Sequence, residues 1–172
     1  MNAKKQIRDT FYKLCEHTKP QKISINVLIK KADINRSTFY YYFENKHDLI
    51  EQLQTEILDT YFNILYFEGR YKEIVLEQYH SSPSPELYAS CRYIQLKQHI
   101  FKIWFDDIHF INQFTARLIE FLKRFSNNEA HYIFTSYGAV GYFKNWLSMN
   151  CAVSSDDVAK DILLMSKQTF IH

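Results

Sequence analysis

Three glycines and three prolines in 172 residues leave this chain almost no punctuation. Sharp corners are built on left-handed backbone or on a fixed φ, and these two residues supply both most cheaply. A fold of many short strands would therefore lack its turns. Long helices joined by short capped loops need few such residues, so the expectation is an all-α fold. Apolar residues make up 47% of the chain, enough to bury a core.

Helical periodicity starts at once. Ile7, Phe11, Leu14 and Cys15 share one stripe, and that first helix is expected to stop near Thr18, because Pro20 lacks a donor and keeps Lys19 out of the α region. Ser24 sits where a cap belongs, ahead of a short second helix over 25–31. After Ala32-Asp33-Ile34, Asn35 caps a third helix that carries Phe39 and Phe43 on its inner face. Asn45 and Asp48 read as a capping-box variant opening a long fourth helix to about Phe67, ended by Glu68-Gly69-Arg70. Further helices are expected over 72–79 and, each preceded by Ser, Asn or Asp, from Pro85 to about Phe105 and near 107–125, 129–149 and 155–170.

Two short helices joined by a tight turn make a helix-turn-helix unit. Such a unit needs an apolar underside, here Val27, Leu28, Ala32, Ile34 and Phe39, and a turn residue that tolerates positive φ, here Asp33. Charge follows the same division. Residues 1 to 46 carry ten basic against four acidic side chains, a net +6, while the remaining 11 basic and 15 acidic residues give the rest −4. A basic head on an acidic body suits a module that binds a polyanion attached to one that does not. The domains are accordingly expected at 1–47, the head, and 48–172, the body.

The stretch from Ile25 to Ile50, INVLIKKADINRSTFYYYFENKHDLI, resembles the signature of TetR-family transcriptional regulators. The likeness lies in an apolar second helix, a short turn, a Thr-aromatic-Tyr-x-x-Phe recognition helix and Lys-x-x-Leu at the start of the fourth helix. It departs in Asp33, where the family's turn glycine is usual, and in Ser37, where glycine or alanine is common. The resemblance implies a three-helix head joined by the long fourth helix to a helical body. It makes Arg36, Ser37, Thr38 and Tyr41 groove-facing, with Asn26 as a further base contact, and it assigns Ser24, Tyr40, Tyr42 and Lys46 to phosphate. It also implies a homodimer on a palindromic operator, since one recognition helix reads only a half-site and two must stand about 34 Å apart.

For the body the family supplies two further expectations. Phe62, Tyr66, Tyr93, Phe101, Trp104, Phe105, Phe121 and Tyr142 are candidates to line a cavity for a small apolar or aromatic effector, although helical spacing alone accounts for most of them as core. The segment Tyr132 to Asn150 resembles the family's penultimate helix, which places a dimer interface at Tyr137, Gly138, Val140, Gly141 and Lys144. The function expected is a DNA-binding regulator, a repressor under effector control. The alternative is a TetR-like coactivator whose body binds a protein.

Other classes lack support in the residues. His99, His109 and Asp106-Asp107 match no metal-ligand spacing, and no phosphate loop or nucleophile motif occurs, so neither catalysis nor a cofactor nor a metal is expected. Cys15, Cys91 and Cys151 are odd in number and far apart, which argues against a disulfide framework. No apolar run follows Lys4 and Lys5 as in a signal peptide, and no 18-residue apolar stretch is present, so the expected location is the cytoplasm.

Overall fold

A computed structural model describes residues 2–66 and 82–168 of the chain. The described residues are helical and contain no strand: α1 Ala3–Cys15, α2 Ile25–Lys31, α3 Arg36–Tyr42, α4 Lys46–Leu65, α5 Pro85–Leu96, α6 Gln98–Trp104, α7 Ile108–Leu122, α8 Glu129–Ser148 and α9 Ser155–Gln168, with a one-turn 3-10 helix at Pro20–Lys22. The expected helix over 72–79 and the break at 68–70 lie outside the described residues. The chain forms two compact units, Met1–Ile57 and Leu58–His172, and the division falls within the continuous helix α4.

In the first unit α1 packs on α2 and α3. Ile7, Phe11, Ile23, Leu28, Ala32, Phe39, Phe43, Leu49 and Leu53 are buried, and the Phe39 and Phe43 rings stand 5.6 Å apart. Gln6 Nε2 donates to the Ala32 carbonyl at 2.5 Å, tying α1 to the last turn of α2. There the backbone turns through Asp33 at φ 49°, a left-handed residue held without glycine. Leu14 and Cys15 are half-buried, and α1 ends sooner than expected because i to i−3 bonds at Glu16 and His17 tighten its last turn.

The underside of the helix-turn-helix differs from expectation at one position. Val27 is 46% exposed, so Leu28, Ala32 and Phe39, with Ile23 and the half-buried Ile34, make the contact. Leu28 and Ala32 are four apart on one face of α2, and Val27 lies about a quarter-turn off it.

In the second unit α5 packs on α9, α7 on α8 and α6 on α8. Its core is aromatic: Tyr61, Phe62, Phe101, Trp104, Phe105, Phe110, Phe114 and Phe143 are all buried. Phe114 sits at the centre, 4.8 Å from Tyr61 and 5.4 Å from both Phe62 and Phe105 in tilted and edge-on pairings. The single helix expected from Pro85 to Phe105 is two helices. Lys97, at φ −109° and ψ 22°, leaves helical geometry between α5 and α6, and each helix buries its own stripe: Cys91 and Ile94 on one, Ile100, Phe101 and Trp104 on the other.

Caps set the helix starts. Ser84 accepts from Leu87 N ahead of Pro85, Asp107 accepts from His109 N and Phe110 N, and Asn128 accepts from His131 N. Between α8 and α9 the chain turns through Asn150 and Cys151, both left-handed, and Trp146 Nε1 closes the turn by donating to the Val153 carbonyl at 2.9 Å.

Candidate nucleic-acid interface

The surface of the first unit is organised by two helix starts. Ser24 Oγ accepts from Val27 N at 3.3 Å, which fixes the entry to α2 and leaves Ser24 exposed. Asn45 Oδ1 accepts from His47 N and Asp48 N at 2.8 and 3.0 Å, while Asp48 accepts from Glu44 N at 2.8 Å, so α4 starts from a reciprocal cap. That cap places Lys46 in the first turn, from which its Nζ reaches back to the Gln21 carbonyl at 2.6 Å. Asn35 occupies the cap position of α3 with extended backbone, but its side chain makes no capping bond.

These constraints gather residues from three helices around one open depression of about 330 Å³, lined by Ser24, Ile25, Asn26, Arg36, Tyr40 and Lys46. Its floor joins α2 to α3, because Arg36 Nη2 donates to Asn26 Oδ1. Ser37 and Tyr41 project from the same short helix outside the depression's lining, and Tyr41 is the most exposed aromatic on α3 at 81%. Thr38 and Tyr42 are half-buried, and the Tyr42 ring packs edge-on against Tyr41 at 4.9 Å. An aromatic left this exposed gains nothing from the core. A guanidinium, an ammonium and hydroxyls sharing one open face are donors suited to oxyanions and to the acceptor-rich edges of bases.

The structure thus brings together Ser24, Asn26, Arg36, Tyr40 and Lys46, and sets Ser37 and Tyr41 beside them on α3. Ile25 also lines the depression and the Gln21 carbonyl holds Lys46 beside it; neither was expected, and the carbonyl, as a backbone acceptor, leaves no mark on the side-chain pattern.

The body's aromatic candidates separate into kinds. Phe62, Phe101, Trp104 and Phe105 are wholly or almost wholly buried among other rings. Tyr66, partly exposed, packs on Phe121 at 5.3 Å with the Arg124 guanidinium 5.2 Å above its ring. Tyr93 meets Phe101 edge-on at 5.7 Å. Tyr142 lies against α9, where its hydroxyl donates to Asp161 at 2.5 Å.

On α8, Tyr137, Gly138, Gly141 and Lys144 are exposed, joined by Phe134, and both Phe134 and Tyr137 are more than 60% exposed, at 62% and 63%. Val140 departs from this set: at 6% exposure it points into its own unit, because it follows the buried stripe through Ser136, Ala139 and Phe143. Beyond the helix's own backbone and chain neighbours, a Cβ on Gly138 or Gly141 would meet no atom of the described residues within 4 Å, so neither glycine serves packing among them.

Among the described residues no cluster of three or more His, Cys, Asp or Glu is placed to hold a metal ion. Asp107 instead caps α7, and His109 Nε2 lies 2.7 Å from Gln113 Nε2. No helix among them is long and apolar enough to cross a membrane.

The arrangement of helices is the fold found in regulators of the TetR type. It is similar over nearly the whole chain to the dihydroxyacetone kinase operon activator DhaS, with a TM-score of 0.68 and 17% identity across 98% of this chain and 96% of that one. It is equally similar to a transcriptional regulator of the TetR/AcrR family from Aquifex aeolicus VF5, with a TM-score of 0.67 and 15% identity across 98% of this chain and all of that one. No protein-family model matches the chain, and no curated protein sequence matches it.

Proposed function

We propose that this protein is a dimeric, sequence-specific DNA-binding regulator of transcription, with the face around Ser24, Asn26, Arg36, Ser37, Tyr40, Tyr41 and Lys46 as its DNA contact. The observation that carries the reading is the convergence of Arg36, Tyr40 and Lys46 with Ser24 and Asn26 on one open depression of a basic unit. A short helix with an exposed polar and aromatic face is the part that enters a major groove, and the lysine and hydroxyls at its edges suit the flanking phosphates. The fold shared with two transcriptional regulators supports the same reading.

Two copies are needed to read a palindrome, and α8 is the proposed meeting surface. Two glycines in a helix interior cost about 1 kcal/mol each relative to alanine. The described residues offer nothing in return, since beyond the helix's own backbone and chain neighbours no atom of theirs lies within 4 Å of where these side chains would begin. A second helix seated on Gly138 and Gly141, with Phe134 and Tyr137 beside them, would use that space.

For control, the reading is a repressor released by an apolar or aromatic effector in the body. A specific observation favours a second reading, a coactivator whose body binds a protein partner: Phe62, Phe101, Trp104 and Phe105 are already buried against neighbouring core rings, Phe110 and Phe114 among them, so an effector would have to part them. Selecting bound duplexes from a random DNA pool tests the main proposal, which expects a palindromic consensus. A folded dimer that enriches no sequence at low salt overturns it. Screening aromatic compounds for a ligand that both raises the melting temperature and releases DNA separates the two modes of control.

A further inference from the structure

Asn26 stands in the first turn of α2 and Arg36 in the first turn of α3, on opposite sides of the turn through Asp33. The Arg36 Nη2 donates to Asn26 Oδ1, across the open depression rather than within the core. A guanidinium has no acceptor, so the amide of Asn26 must present its oxygen to Arg36 and turn its nitrogen away. Asparagine reads a base by pairing its oxygen and nitrogen together with adenine N6 and N7. The bond from Arg36 takes one of the oxygen's two lone pairs and ties the amide plane to the guanidinium, which disfavours that bidentate contact.

Arginine reads guanine differently, with two parallel N–H groups aimed at N7 and O6 in a fixed fork. An exposed arginine otherwise samples many rotamers, and each must be given up when the fork forms. One bond to Asn26 leaves the other four N–H donors of the guanidinium free to face outward, while restraining the plane in which they lie.

We infer that Asn26 is a positioning residue that holds the Arg36 guanidinium for a guanine contact and does not itself read the DNA. The inference rests on the proposal that this face binds DNA in a sequence-specific way. Its consequence is that the two residues govern preference at the same base pair. Arg36→Ala should lose roughly 5- to 150-fold of the guanine preference there. Asn26→Ala should lose about two- to tenfold at that same pair, the weight of one hydrogen bond, with the salt dependence of binding unchanged because no phosphate contact is removed.

The test is parallel selection from a random duplex pool with the wild type, Asn26→Ala, Asn26→Asp, Arg36→Ala and the double alanine variant, each shown to be folded by circular dichroism. Expected are relaxation at one shared base pair in both alanine variants, and no further relaxation in the double variant than in Arg36→Ala alone. Asn26→Asp, which keeps the acceptor, should retain the preference while losing affinity evenly across sequences. Relaxation by Asn26→Ala at a different base pair, at none, or additively with Arg36→Ala overturns the inference and leaves the regulator reading standing. A wild type that enriches no sequence overturns both.

Discussion

Asp33 carries the turn of the helix-turn-helix at φ 49°, where a side chain with a Cβ is held at some cost. Aspartate tolerates that region better than alanine does, and glycine better than either. Asp33→Ala should therefore lower the stability of the first unit by roughly 1 kcal/mol in urea unfolding, and Asp33→Gly should not. On the neighbouring face, Lys46 and Arg36 differ in what their charges can touch. Lys46 is anchored to the Gln21 carbonyl at 2.6 Å, and as a point charge it suits a phosphate. Lys46→Ala should weaken all sequences alike and reduce the salt slope by about 1, whereas Arg36→Ala should cost about 1–3 kcal/mol at one base pair. Fluorescence anisotropy against matched and mismatched duplexes distinguishes them; equal losses everywhere for both would make Arg36 a phosphate contact only.

At the scale of the element, the pairing of α8 with α9 carries a pH dependence. Burial, and then the Asp161 carboxylate that its hydroxyl contacts, push the Tyr142 phenol from 10 up to about 12. The unfolded chain releases this proton near pH 10 and the folded chain keeps it to about 12, so the contribution to stability is full below pH 10 and is lost as pH rises through that window. Tyr142→Phe should flatten the alkaline loss, measured as melting temperature against pH. An unchanged slope would remove Tyr142 as its source. Much of the element structure was legible because starts are written in side chains: Ser24, Ser84, Asp107 and Asn128 cap helices where their residue types indicate. The separation of α5 from α6 at Lys97 was not, since no proline, glycine or cap residue marks it. Val27 and Val140 show a second limit. Each sits in a helix with apolar residues on more than one face, and which way it turns depends on the packing partner, which periodicity does not contain. On the candidate interface, residue types were legible from the likeness of Ile25 to Ile50 to a known signature, but the Asn26–Arg36 link joins two helices and emerges only in three dimensions.

For the whole molecule, the proposal requires that DNA binding depend on association of two copies. Gly141 allows the two to be separated, because a Cβ there meets no atom of the described residues beyond its own helix backbone and chain neighbours. Gly141→Ala should stabilise the isolated protomer by up to about 1 kcal/mol through helix propensity. Gly141→Trp should give a folded monomer in sedimentation that no longer holds a palindromic duplex, and an intact dimer with full affinity would place the interface elsewhere. The central claim, that a basic head reads palindromic DNA in pairs, is tested most directly by titrating the wild-type protein against a selected duplex and its scrambled counterpart over a range of salt, with stoichiometry read from the same complexes. The account predicts two protomers per palindrome, affinity falling linearly in log salt, and a preference for the selected sequence that persists as salt rises. Binding that is indifferent to sequence at every salt concentration, or absent at low salt from a folded dimer, would contradict it.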